Sequence, residues 1–385
     1  MIHYDVAVIG VGAMGSASLY QLSKKGLKII GIDSFAPPHN QGSSHGESRI
    51  IRQAIGEGKH YVPLAMRSYE IWQEIEQYTG QRLLNYTGGL VLASKDQADG
   101  FFSTTLKAAQ DYGIKHEVLD YKVIKERFKE FNVSKDIVGY YEHKAGFVVP
   151  EECVGHQIAL AKERGAEVRF NEVVTKIERK NGHIVVQTNQ HQYTASKVII
   201  SNGPWIQNLI PDWSQDIFSV YRQVLYWFEI LDDRSFHPSR FPIFIWKLSE
   251  GVEGIYGFPA IHGQKGGIKI AAHAMPEPTS PDLLNRQVSD QEKEEFYQKY
   301  VMPYFSALIG PHCIKAVVCP YTMTPDENFI IDFLPECEDI LVVSCCSGHG
   351  FKHSAAIGEI TAECVLGNVD MKNLNHFSLK RFRSA

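Results

Sequence analysis

The six residues Gly10-Val11-Gly12-Ala13-Met14-Gly15 constrain this chain more than any other feature. They follow a short apolar run, Tyr4 to Ile9, of the kind that forms a parallel strand covered on both faces. They open a segment, Ala13 to Lys25, in which Ala13, Ala17 and Tyr20 recur at helical spacing, Leu19 and Leu22 widen the face, and Gly26 ends the helix. Leu27 to Ile32 then reads as a second strand, so strand, helix and strand make a βαβ unit. In this spacing the first glycine makes the turn, the second admits a pyrophosphate close to backbone and the third lets the helix pack on the strand. Phosphate then meets a helix N-terminus. Asp33, ending the second strand, is placed to accept hydrogen bonds from an adenosine ribose. The pattern predicts a Rossmann-type dinucleotide site and does not separate FAD from NAD.

The chain has 385 residues, more than one such unit needs, and two domains are expected. A hydrophobic fraction of 44% and a net charge of -5 are those of an ordinary globular protein, with no bulk attraction to nucleic acid or an anionic membrane. Seven cysteines, an odd number scattered over the chain, read as reduced thiols in a cytoplasm rather than a disulfide framework. The start, Met-Ile-His-Tyr-Asp, shows neither a basic region nor a cleavage site, and apolar runs stay below the roughly 20 residues of a membrane helix. A soluble, cytoplasmic protein is expected.

Beyond the first unit, a polar, glycine-dotted loop at Gln41 to Ser44 precedes a basic segment around Arg49 and Arg52. Three positions apart, these two arginines share a face if the segment is helical, and then need anionic company. Residues 61–79 have helical periodicity, and 85–147 mix short strands with a Lys/Glu-rich helix near 122–130. Helix and strands alternate again from Glu151 to Ser201. From about 218 to 320 aromatic-rich strands dominate, and a last strand, glycine turn and helix run from Ile340 to Leu366. The fold class expected is α/β, with a Rossmann-type domain assembled from 1–84, 148–216 and 322–385. A mixed-sheet substrate domain is expected from 85–147 and 217–321. In the strand Ile268 to His273, alternation places Lys269, Ala271 and His273 on one face. Cys345-Cys346 with His349 and His353 lack a second ligand pair at a known spacing, so no metal site is expected.

Several stretches carry a resemblance that covers essentially the whole chain. They are Pro37-Pro38-His39, Gly42-Ser43-Ser44-His45-Gly46-Glu47-Ser48-Arg49-Ile50-Ile51-Arg52, Gly56-Glu57-Gly58, Tyr61-Val62-Pro63-Leu64, Tyr256-Gly257-Phe258-Pro259, Val318-Cys319-Pro320-Tyr321, Phe329-Ile330-Ile331-Asp332 and Ser347-Gly348-His349-Gly350-Phe351-Lys352. With these the sequence resembles the monomeric sarcosine oxidase and N-methyltryptophan oxidase family of FAD enzymes.

The resemblance implies FAD attached covalently, through a thioether between Cys319 and the flavin 8α-methyl. A thiolate can add to that electron-poor carbon if nearby positive charge helps the cysteine lose its proton. It implies that Arg52, by a planar fork, and Lys352, as a point charge, bind the substrate carboxylate. It places Lys269 near flavin N5, where a fixed ammonium activates oxygen. Arg49, His45, His273 and Tyr256 complete the catalytic pocket, and Tyr321 lines the cavity over the ring. Ser43, Gly348 and Gly350, in matched segments, join Gly10, Gly12, Gly15 and Asp33 as cofactor-binding positions.

The activity implied is that of a monomer oxidising a small secondary amino acid with O2, giving an imine that hydrolyses, and hydrogen peroxide. Sarcosine is the first substrate expected, yielding glycine and formaldehyde. N-methyl-L-tryptophan is the alternative, since the tail Phe377 to Phe382 resembles that group. The stretch Phe241 to Trp246 departs from the family, where sarcosine oxidases tend to carry Met at the position of Ile245, which leaves side-chain preference open. An FAD-dependent amine dehydrogenase with a non-oxygen acceptor, and a non-catalytic flavoprotein, are the readings of other classes.

Overall fold

A computed structural model describes residues 2–97, 100–248, 254–273 and 277–382. The strand His3–Ile9 runs parallel to Ile29–Ile32 on one side and to Gln192–Ile200 on the other. Glu167–Arg169 extends this sheet beyond Ile29–Ile32, while Cys337–Ser344 joins the C-terminal half of Gln192–Ile200 in parallel. Val6 and Val8 enter one apolar core and Ala7 and Ile9 another, so alternation along one strand serves both covered faces. Burying each of the Val and Ile side chains contributes about 1.5–3 kcal/mol.

The helices Ala13–Ser23, Pro150–Glu163 and Ser354–Val365 are built with small residues where they meet. A Cβ on Gly358 would fall 2.4 Å from the backbone carbon of Ala17, so the first and last of them cross at backbone contact. The helix Val62–Thr79 starts with proline in its first turn and stops at Gly80, whose φ of 70° suits the left-handed cap.

A second sheet of eight strands carries the aromatic-rich half of the chain. Its order is Ile309–Met323, Ser219–Ile230, Ile268–Ala272, Ile255–Phe258, Ile243–Trp246, Gly89–Ser94, Ile137–Glu142 and His116–Leu119. Neighbours are antiparallel except Ile243–Trp246 with Gly89–Ser94. Pro311 and Pro320 sit in the terminal strand of this order, where a missing N–H costs no ladder bond on the open side. Phe228, Phe241, Phe244 and Trp246 fill the core on one face, which leaves the other for side chains such as Lys269 and Tyr256.

The condition on which Arg49 and Arg52 would share a helical face is not met. Arg49–Ile51 is a strand, not a helix, paired antiparallel with Gly146–Val148, which also pairs with Leu84–Tyr86. β-branched Ile50 and Ile51 favour the extended form. Arg52 lies just past this strand, so no helical face joins it to Arg49.

Candidate active site

The glycine turn divides its labour as the spacing predicts. Gly10 has a φ of +83°, and a Cβ on it would lie 2.4 Å from Asn202 Cα. A Cβ on Gly15 would sit 1.8 Å from the Gly10 carbonyl oxygen, so this glycine serves the helix–strand contact and does not line the cavity. Gly12 differs: a Cβ there would meet only Ser44 Oγ, at 3.6 Å. Protein packing leaves Gly12 free to be any small residue, and the need for glycine points to a ligand. Asp33 is buried and accepts from Val11 N at 2.6 Å and Phe35 N at 2.9 Å. A carboxylate has about four acceptor positions, so capacity remains for ribose hydroxyls.

From this turn a cavity of about 500 Å³ runs past Asp33, Ser43 and Arg49 to Arg52, Lys352 and Tyr321. The second sheet forms part of its wall. Register places Trp227, Lys269 and Phe258 in one row across three strands, and Ala271, Tyr256 and Ile245 in the next. The Lys269 ammonium accordingly lies 4.5 Å from the Phe258 ring centroid and 5.3 Å from that of Trp227. It donates to Gly46 O at 2.7 Å, Ser48 O at 2.9 Å and Ser48 Oγ at 3.1 Å. Burial and the Arg49 charge pull its pKa well below the lysine range. Two carbonyls that can only accept favour the protonated form.

Cys319 is fully buried, with Sγ 3.5 Å from Arg49 Nη2 and 3.6 Å from Ser43 O. Burial pushes this thiol up, and the Arg49 guanidinium opposes that. Arg49 also donates to Ser43 O at 2.8 Å, and Ser43 Oγ donates to Pro320 O, so the glycine-dotted loop is tied to the Cys319 strand. His45 lies buried near both Arg49 and Lys269. Burial and those two charges hold it at about 3, neutral at physiological pH. Cys319, Lys269 and His45 stand just behind the cavity wall, whereas Arg49, His273, Tyr256, Tyr321, Ile245, Gly348 and Gly350 line it. Tyr256 and Tyr321 share a hydrogen bond of 2.9 Å between hydroxyls. A Cβ on Gly348 would come within 3.0 Å of His273 Cε1, and one on Gly350 within 1.5 Å of Cys345 O.

Arg52 and Lys352 come together as the sequence suggests, both buried, at 2% and 5% exposure. Between them stands a carboxylate that sequence reading gave no role. Glu57 takes Arg52 Nη2 at 2.5 Å and Lys352 Nζ at 3.4 Å, and Lys352 also donates to His349 O at 2.6 Å. Burial opposes ionisation of Glu57, but the two cations prevail and hold it well below the carboxylate range. Burial lowers Lys352 to about 8, with Glu57 resisting and Arg52 assisting. Arg52 Nε is buried without a partner, a donor still available to a ligand oxygen. Glu142, also unforeseen, accepts from Gln53 N and Ala54 N and fixes the backbone beyond Arg52. The only sequence signal for Glu57 was its place between two glycines in a matched stretch.

FAD fits this cavity on three counts. Gly12 clears space that no protein atom uses, Asp33 retains acceptor capacity, and the cavity continues from the turn to a cluster of basic side chains. Gly10, Gly12 and Asp33 would hold the nucleotide half, with Ser43, Arg49, Gly348 and Gly350 toward the flavin half.

Comparison with known proteins agrees. The family model described as FAD dependent oxidoreductase matches residues 5–364. A monomeric sarcosine oxidase of Streptomyces avermitilis is 38% identical over 99% of this chain and 98% of its own length. An N-methyl-L-tryptophan oxidase of Salmonella enteritidis PT4 is 34% identical over 98% and 99%. Among solved structures, NikD, an amino acid oxidase of nikkomycin biosynthesis, superposes with a TM-score of 0.82 at 19% identity over 97% of each chain, a likeness of fold. The chain is an FAD-dependent oxidoreductase and belongs to the family that contains monomeric sarcosine oxidase and N-methyl-L-tryptophan oxidase.

Proposed function

We propose that this protein oxidises the carbon beside the nitrogen of a small N-methyl amino acid, sarcosine first and N-methyl-L-tryptophan as the alternative. Oxygen is the acceptor, and the flavin is attached through Cys319. The carrying observation is the buried Arg52–Glu57–Lys352 group in the same cavity as the dinucleotide turn. Two cations against one carboxylate leave a positive charge to be satisfied, and a substrate carboxylate competes with Glu57 for it. Charge-assisted bonds then orient a molecule too small to be held by apolar contact. Arg49, Arg52 and Lys352 disfavour a second ammonium, so the substrate amine is bound neutral. Tyr256 and Tyr321 offer a hydroxyl pair beside it. FAD, when bound, supplies the two-electron acceptor and the route to oxygen. Lys269, charged and fixed by three oxygens, stabilises negative charge developing on oxygen. The fully buried Cys319 stands beside Arg49, the group that favours its thiolate. The protein acts as a single chain.

The test is aerobic turnover of a panel of N-methyl amino acids with peroxide and formaldehyde measured together. Equal amounts of both are expected. Turnover only with quinone acceptors would instead make the protein a dehydrogenase.

A further inference from the structure

Lys247 gives the cavity a fourth cation, beside Arg49, Arg52 and Lys352, that binding an α-carboxylate does not require. It directly follows the strand Ile243–Trp246 and stays bonded to the neighbouring strand through Lys247 N to Leu92 O. Alternation therefore carries it to the face of Ile245, and both residues line the cavity. Its ammonium lies 5.2 Å from the Phe101 ring centroid, and the Arg52 guanidinium carbon lies 5.2 Å from the same centroid. The two charges are thus no further apart than twice that distance, with one aromatic ring as their common platform. Among the described residues Arg52 has Glu57 as its ion-pair partner, while Lys247 makes no ion pair. Lys247 is half-buried, and its ammonium stands over the Phe101 ring.

We propose that Lys247 receives a second anionic group, so that among N-methyl amino acids that carry a polar side chain the enzyme favours a short acidic one over its neutral counterpart. This rests on the amine-oxidase reading given above. With the α-carboxylate at Arg52 and Lys352, a side chain passing the edge of Phe101 brings its own carboxylate to Lys247. The shared ring keeps the two cations close enough for one short dicarboxylate to reach both. Ile245, two residues before Lys247, lines the same cavity.

The test compares N-methyl-L-aspartate with N-methyl-L-asparagine, which have the same shape and differ in side-chain charge. In the holoenzyme kcat/KM should favour the aspartate at least tenfold. K247M keeps an apolar stem over Phe101 and should lower that ratio at least tenfold, while K247R should retain it. A second readout needs no turnover: succinate should bind the holoenzyme at least tenfold more tightly than succinamate by calorimetry, and K247M should erase the difference. Ratios near one in the unaltered protein, or ratios that K247M leaves unchanged, overturn the proposal. Oxidation of sarcosine without a preference for the aspartate defeats this subsite alone. If no N-methyl amino acid is oxidised, the amine-oxidase reading falls, and the succinate pair still decides the role of Lys247.

Discussion

Lys352, held at about 8 mainly by burial, makes ligand binding depend on pH in a range where lysine is ordinarily silent. Below that value it is an ammonium and attracts a carboxylate; as pH rises through about 8 it loses the charge. Binding of a simple carboxylate inhibitor, followed by perturbation of flavin absorbance, should therefore weaken as pH passes 8. In E57Q the carboxylate that supports the ammonium is gone, so the weakening should begin at lower pH. An unshifted profile would remove Glu57 from this role. R52A should raise KM for the carboxylate substrate by roughly 10- to 100-fold, about 1.4 to 2.7 kcal/mol. Lys269→Met, tested by stopped flow, should slow reoxidation by oxygen far more than anaerobic reduction; equal slowing would exclude it from oxygen activation. At this scale Arg49, Arg52 and Lys352 were readable because they stand in long matched stretches, and Lys269 through the alternation of its strand. Glu57 was not, because Lys352 lies 295 positions away and a lone Glu between glycines reads as a loop residue.

The opening strand, turn and helix were legible as an element because every signal is local: apolar run, glycine spacing, helical periodicity and the closing Gly26. The structure separates the glycines by what each one meets. G15A would force a Cβ to within 1.8 Å of a backbone oxygen and should unfold the helix–strand contact, lowering the melting temperature and abolishing cofactor content. G12A meets only Ser44 Oγ at 3.6 Å and should keep the circular dichroism of the parent, while the apoprotein takes up FAD roughly tenfold less tightly, about 1.4 kcal/mol. Loss of fold in G12A would contradict this division. The strand Arg49–Ile51 was illegible for the opposite reason. Its partners, Gly146–Val148 and through it Leu84–Tyr86, are far along the chain, and three residues carry no periodicity of their own. The row Trp227, Lys269, Phe258 was half legible: alternation put Lys269 on the face of Ala271, but only the register across three strands brings the aromatic rings to it.

For the whole molecule, the two eight-stranded sheets meet at one cavity, which carries the nucleotide turn and the basic cluster together. Neither sheet alone supplies both. Arg49 and Arg52 reach this cavity from one extended segment and Lys352 from the turn before the last α-helix, while Lys269 stands behind its wall in the second sheet. Such convergence rests on chain connections of hundreds of residues, which local pattern does not encode. It is also why the most direct test concerns the assembled protein. Anaerobic mixing with sarcosine should bleach the flavin band of the purified yellow protein, whereas sarcosine amide, lacking the carboxylate, should not. R52A with full flavin content should lose the response to sarcosine. Equal bleaching by acid and amide, or none by any N-methyl amino acid, would contradict the account.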